Sequence, residues 1–248
     1  PQGNELSGEL GKIVARCPLL TWGSDDDWRW GPFTSHVARH STLHATTYWN
    51  IVRKARDDGY SNVRKTQWAC LPWLHRPVEP KDIDVAFVGG VYGDRAKILE
   101  SVRGVVELRR KRMFVGSRLS WRKALNMLGR ARIQITPSRN YSTSTVQIKA
   151  RHFEAPAFGS LQITDADPEQ LGEYFGAGSE VVYADGPGGF AQNVEDMLDD
   201  PGRLDEVAKS GRHRALAEHT YAKRLAALLN ELSNITGNEK LRNAAVDD

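Results

Sequence analysis

Two cations and a carboxylate fall within six residues of one another in Gln147-Ile148-Lys149-Ala150-Arg151-His152-Phe153-Glu154-Ala155-Pro156-Ala157-Phe158-Gly159. The stretch follows an apolar run over 132–136 and a polar loop over 138–145, and its pattern predicts a helix over about 147–157. Lys149 and Arg151 then fall in the first turn, where positive charge opposes the helix dipole. Two cations beside free backbone N–H groups suit a bound diphosphate; a solvated basic turn is the plain alternative. Glu154 lies more than one turn deeper. A carboxylate there can accept both hydroxyls of a ribose, or it can be a surface glutamate paired with Arg151 at i, i+3. Pro156 and Gly159 are expected to end the helix ahead of a strand over 161–164.

A second candidate is Phe87-Val88-Gly89-Gly90-Val91-Tyr92-Gly93-Asp94-Arg95. An apolar run that ends in glycines and opens into a helix lets backbone N–H groups approach a phosphate or sugar. The spacing is not G-x-G-x-x-G and no P-loop Lys-Ser/Thr follows, so a tight turn that needs glycine is the competing reading. Gly89, Gly90 and Arg95 are the candidate contacts.

A third is Asp25-Asp26-Asp27-Trp28-Arg29-Trp30, placed directly after an apolar run. Asp25, Asp26 or Asp27 can serve as general base on a hydroxyl, while Trp28 and Trp30 can stack on sugar rings. An Asx turn or helix cap beneath an aromatic lid explains the same residues without chemistry. His36, His40 and His44 recur every four residues and would share a metal-binding face on one helix. Strand character over 43–47 breaks that face, so they are read as loop or cleft histidines, with His36 or His40 on the acceptor side. The run Arg109-Arg110-Lys111-Arg112, with Arg118, Arg122, Lys123, Arg130 and Arg132, reads residue by residue as a solvated face. Together these charges can attract an anionic acceptor, including DNA or an acidic polysaccharide, although no nucleic-acid motif accompanies them.

Short apolar runs alternating with helical patterns must position these residues, which predicts βαβ units and a mainly parallel sheet. Strands are expected over 18–22, 43–47, 63–70, 83–88, 132–136, 161–164 and 180–183. Helices are expected over 48–58, 94–102, 121–128, 168–175, 188–199, 202–219 and 221–233, with 105–115 ambiguous and 23–32 a loop. The proline-rich stretch 71–81 reads as a linker. The 248 residues carry 34 Lys plus Arg against 31 Asp plus Glu, a net charge of +3, which permits an anionic ligand without requiring one. Cys17 and Cys70 give neither metal spacing nor a disulfide framework, so a reducing cytoplasm is expected. No apolar run approaches the roughly 20 residues that span a bilayer.

The 147–164 stretch resembles the core motif of the spore-maturation-type (CgeB-like) glycosyltransferases, relatives of the group-1 (family-4) glycosyltransferases. Asp84-Val85-x-Phe87-Val88-Gly89 with Tyr92-Gly93-x-Arg95, Gly178-x-Glu180-Val181-Val182-Tyr183 and Glu218-His219-Thr220-Tyr221-x-x-Arg224 extend the resemblance. Upstream, Thr21-Trp22-x-Ser24-Asp25-Asp26 and Gln67-Trp68-Ala69-Cys70 are similar to the end of that family's N-terminal domain. The resemblance implies an α/β, GT-B-like fold of two Rossmann-like domains, the first short or truncated. It places a partial acceptor-side domain at 1–80, a nucleotide-sugar domain at 81–220 and a crossover helix with polar tail at 221–248.

It further implies that Glu154 holds the nucleotide ribose, Lys149 and Arg151 the diphosphate, and Gly89 and Gly90 the cleft turn. Transfer would run from a nucleotide-diphosphate sugar to an acceptor hydroxyl on a glycan, a protein or a modified base, with no metal or other cofactor. The sequence departs from the family at Val146, where a second glutamate is common, and at Ser160, where glycine is usual. An epimerase-like enzyme and a catalytically silent binding module therefore stay open beside transfer.

Overall fold

The computed structural model describes residues 10, 12–14, 16–140 and 145–243, which divide into two compact units. The first contains residues 1–68 and 221–248; the second contains 69–220. The stretch expected as a linker, 71–81, lies inside the second unit. Among the described residues no helix is long and apolar enough to cross a membrane.

The first unit holds a three-stranded parallel sheet in the order β1 (Leu20–Gly23), β2 (Leu43–Thr46), β3 (Val63–Lys65). Between β1 and β2 the expected loop is helical: α1 (Asp26–Arg29) runs through a π-helical turn (Trp30–Thr34) into α2 (Ser35–Arg39). Asp25 takes the left-handed conformation before α1 (φ 58°), which aspartate tolerates better than most residues. α3 (Trp49–Asp57) links β2 to β3, and the third strand is shorter than the apolar pattern suggested. Every residue of the central β2 is buried. Its alternation sends Leu43 and Ala45 to one face, where Leu228 and Leu232 of α10 (Tyr221–Thr236) cover them. The opposite face carries Trp30, Ala38, Ile51, Ala55 and Val63. α11 (Lys240–Asn243) follows α10.

The second unit is built on five parallel strands in the order β10-β9-β6-β4-β5. They are β4 (Ile83–Val88), β5 (Met113–Gly116), β6 (Ala131–Ile135), β9 (Leu161–Thr164) and β10 (Val182–Tyr183). The ambiguous 105–115 stretch divides: α4 (Asp94–Leu108) continues past its expected end, and Met113 begins β5. α4 packs Ile98, Leu99, Val102 and Val106 on one sheet face together with α8 (Gly186–Asp199) and α9 (Pro201–Glu218). α5 (Trp121–Gly129) covers the other face through Leu125 and Leu128. A two-stranded hairpin, β7 (Arg139–Asn140) with β8 (Thr145–Val146), replaces much of the expected polar loop, of which 141–144 lie outside the described residues. α6 (Arg151–Ala157) and α7 (Pro168–Leu171) complete the unit. Its two ends meet: Cys70 N–H donates to the His219 carbonyl at 2.9 Å and Cys70 bridges to Thr220.

That strand order has a consequence. From β4 the chain goes through α4 to β5 on one side, then returns through α5 to β6 on the other. The connections leaving β4 and β6 therefore diverge at the carboxyl ends of adjacent strands and open a crevice between them, the place where parallel sheets bind ligands.

Candidate functional site

A cavity of about 280 Å³ opens at this switch point, lined by residues that include Val88, Gly89, Arg95, Pro137, Lys149, Arg151 and Glu154. Five of the six expected donor contacts thus come together, and the sixth, Gly90, holds Arg95 in place by accepting from Nη1 at 3.1 Å. The Arg95 guanidinium also stacks on the Tyr92 ring at 4.5 Å. A side chain at Gly90 would bring its Cβ to 2.8 Å from that exposed ring and would displace it.

Lys149 stands before the helix rather than in its first turn. The reason is local: the His152 ring reaches back so that Nδ1 accepts the Lys149 N–H at 3.0 Å, which fixes the chain ahead of α6. Fully buried, His152 sends Nε2 to Thr164 Oγ1 at 3.1 Å, while the Thr164 hydroxyl donates to the Thr136 carbonyl at 2.8 Å. A neutral ring with its proton on Nε2 suits the Lys149 N–H and the Thr164 hydroxyl, while Nδ1 also lies 3.1 Å from the Lys149 carbonyl; burial pulls the ring's pKa down to about 4. Pro156 lies within α6, which ends at Ala157, and Gly159 two residues on takes the left-handed conformation (φ 67°).

The Lys149 ammonium donates to the carbonyls of Pro137 and Ser138, both at 3.1 Å. An ammonium has three donors, so among the described residues one remains for a ligand in the cavity. Burial, reinforced by the positive charge of Arg95, lowers its pKa to about 8, with Asp165 acting in the opposite sense. Arg151 donates through Nε to Glu154 Oε2 at 3.0 Å and through Nη1 to the Val88 carbonyl at 3.0 Å. The i, i+3 pair weighed as a plain surface contact is thus present, and it sits in the cavity wall. Three cations face one carboxylate, a surplus that an anionic ligand can neutralise.

Sequence reasoning missed His75. Its ring lies against Phe158, with centroids 5.3 Å apart, and Nε2 approaches Glu154 Oε1 at 3.8 Å. Burial lowers its pKa; Glu154 pulls it upward and Arg151 pushes it further down. Nothing in the spacing of the proline-rich stretch around His75 points to a partner so distant in sequence.

The first unit treats its candidates differently. Asp26 is fully buried, with Oδ2 3.5 Å from Nε2 of His44, and Thr21 Oγ1 lies 2.9 Å from the other ring nitrogen. Burial acts to raise the Asp26 pKa, but interactions with His44, Thr46 and Thr34 outweigh it and the net shift is downward. Trp30, expected to stack on a sugar, belongs to the core instead: it is 1% exposed, and its indole N–H donates to Asp58 at 2.9 Å. Asp25 and Asp27 are half-buried, while Trp28 and His36 are exposed. His36 lies on α2, His40 follows it, and His44 lies on β2, so the three share no helical face.

A family model described as glycosyl transferase-like matches residues 64–230. No curated protein matches the sequence significantly. The structure of Anabaena HepE in complex with UDP and glucose superposes with a TM-score of 0.65 at 12% identity, covering 92% of this chain and 74% of that one. A glycosyltransferase from Rickettsia africae gives 0.63 at 10% identity, covering 96% and 81%. A Listeria monocytogenes protein described as a candidate UDP-N-acetylglucosamine 2-epimerase gives 0.57 at 12% identity, covering 95% and 80%.

Proposed function

Because the chain belongs to the glycosyl transferase-like family, we propose that its second unit binds a nucleotide-diphosphate sugar and that the enzyme transfers the sugar to an acceptor hydroxyl. One observation carries this reading: Lys149, Arg95, Arg151 and Glu154 converge at the crevice between β4 and β6, and Lys149 keeps one ammonium donor uncommitted. In the proposal Lys149, Arg95 and Arg151 hold the diphosphate and stabilise its charge as it leaves, an electrostatic contribution that grows in a water-poor cavity. Glu154 accepts the ribose hydroxyls. UDP is the donor nucleotide to try first, since it is the nucleotide bound in the Anabaena structure. The CgeB-like branch, a cytoplasmic setting and transfer without a metal belong to the same reading.

Acceptor activation falls to the first unit. Asp26 is sealed against His44, so Asp25 or Asp27 is the better candidate to touch a hydroxyl, with Trp28 and His36 on the acceptor side. Titration calorimetry with UDP tests the donor half. Glu154→Ala and Lys149→Ala should each weaken binding by about tenfold or more, the cost of losing a charge-assisted hydrogen bond; unchanged affinity in both would overturn the assignment. The candidate epimerase among similar folds supports a second reading, in which the sugar is altered rather than transferred. Product analysis with and without an acceptor alcohol separates the two.

A further inference from the structure

We infer that His75 is a positioning residue for Glu154, holding its carboxylate in the one orientation that presents two lone pairs to a pair of neighbouring hydroxyls. The inference rests on the reading of Glu154 as the ribose acceptor.

The geometry builds up from a short turn. The Leu74 and His75 N–H groups both donate to the Leu71 carbonyl, at 3.0 and 2.8 Å. In return the Leu71 N–H donates to His75 Nδ1 at 3.1 Å. An acceptor at Nδ1 places the proton of a neutral ring on Nε2, the nitrogen turned toward Glu154. Glu154 and Phe158 are four residues apart and so share one face of α6, and the ring bridges that face, with Phe158 beneath it and Glu154 Oε1 ahead of Nε2. The imidazole has little freedom to leave, because its side chain is only 6% exposed.

Glu154 is thus held from one side and approached from the other. Arg151 Nε takes Oε2 at 3.0 Å, and His75 Nε2 stands 3.8 Å from Oε1, roughly an ångström beyond a hydrogen bond. With Arg151 alone the carboxylate can still rotate about that contact. A shift of about an ångström that brings Oε1 onto the Nε2–H would remove that rotation and direct the remaining lone pairs away from the helix. Among the described residues, the further charge that bears on His75 is the Arg151 guanidinium, which disfavours a second proton on the ring. His75 therefore works as a neutral donor and not as a second cation.

The effect should be confined to the ribose. UDP and 2′,3′-dideoxy-UDP share base and diphosphate and differ only in the groups Glu154 would accept. Titration calorimetry of the full chain with both ligands compares wild type, Glu154→Ala, His75→Phe, His75→Asn and His75→Gln. Phenylalanine keeps the packing on Phe158 without a donor. Asparagine can still accept the Leu71 N–H but is too short to reach Glu154, so it serves if the phenylalanine variant does not fold. Glutamine can return an N–H near the Nε2 position.

Losing the donor should weaken UDP by roughly three- to tenfold, the worth of one modest hydrogen bond, and dideoxy-UDP by less than about twofold. Glutamine should recover most of the difference. If Glu154→Ala discriminates between the ligands and neither His75→Phe nor His75→Asn does, His75 is structural and the inference fails alone. Equal weakening of both ligands by the His75 variants also overturns it. If Glu154→Ala itself treats the two ligands alike, the ribose reading falls and the inference falls with it.

Discussion

Lys81 and Lys149 stand at opposite ends of the same parallel sheet, and each buries an ammonium among backbone carbonyls. At the amino end, Lys81 donates to Ala131, Phe158 and Gly159 at 2.8, 3.0 and 2.6 Å. All three of its donors are committed, two of them to carbonyls at the end of α6, where the helix offers partial negative charge. Lys149, at the carboxyl end, commits two and keeps one. Burial lowers both to a pKa of about 8. The same residue type with the same depressed pKa is thus a structural fastener in one place and the proposed ligand contact in the other. A perturbed lysine alone does not identify a site; the uncommitted donor does.

The largest effect on stability should come from Lys81→Met, which leaves the Phe158 and Gly159 carbonyls without their donor and the Ala131 carbonyl with only the Ser160 hydroxyl. Each unpaired buried group costs on the order of 1 kcal/mol or more, so thermal unfolding should fall by roughly 5–10 °C. The folded fraction should bind UDP as before. Lys149→Met, which leaves the Pro137 and Ser138 carbonyls without their donor, should lower the melting temperature as well but, unlike Lys81→Met, should also weaken UDP by roughly 10- to 100-fold by calorimetry. If the two variants behaved alike, the distinction between the two lysines would collapse.

A pH series sharpens the contrast. An anion favours the charged form of Lys149, so UDP affinity should decline once the pH passes about 8, and this decline should be absent from Lys149→Met. Stability should move the other way. Between about pH 8 and 10 the unfolded chain binds more protons at both lysines than the folded one does, and ligand-free stability rises with pH. Tyr183, raised to about 12, limits the window, because above pH 10 its unfolded form ionises first. Urea midpoints at three pH values measure the rise, and either lysine variant should flatten part of it. The smallest effect belongs to Arg95→Ala. Affinity for UDP should drop by about threefold. Removing this positive neighbour should also raise the Lys149 pKa and shift the alkaline decline to higher pH, measurable in the same titrations.

How much of this was legible in the sequence depended on how local the cause was. The strands at 83–88 and 161–164 came out with their expected bounds, because apolar runs flanked by turn residues carry their own signal. Lys149, Arg151 and Glu154 were grouped correctly since they neighbour one another along the chain. The start of α6 was misplaced because the His152 ring takes the Lys149 N–H, a contact that composition does not reveal. Trp30 and Asp26 read as exposed chemistry and proved buried, since their surroundings come from β2 and from Asp58. His75 and Lys81 were hidden in a proline-rich stretch without periodicity, and their partners on α6 and β6 are set by tertiary packing alone.

The meeting of Cys70 with His219 and Thr220 carries one more consequence. The chain enters the second unit and leaves it at points already tied together, so residues 69–220 begin and end side by side. Joining those two ends would close almost no additional loop, and little chain entropy would be lost in doing so. The second unit is therefore topologically ready for circular permutation or transplantation, with its crevice far along the chain from either cut.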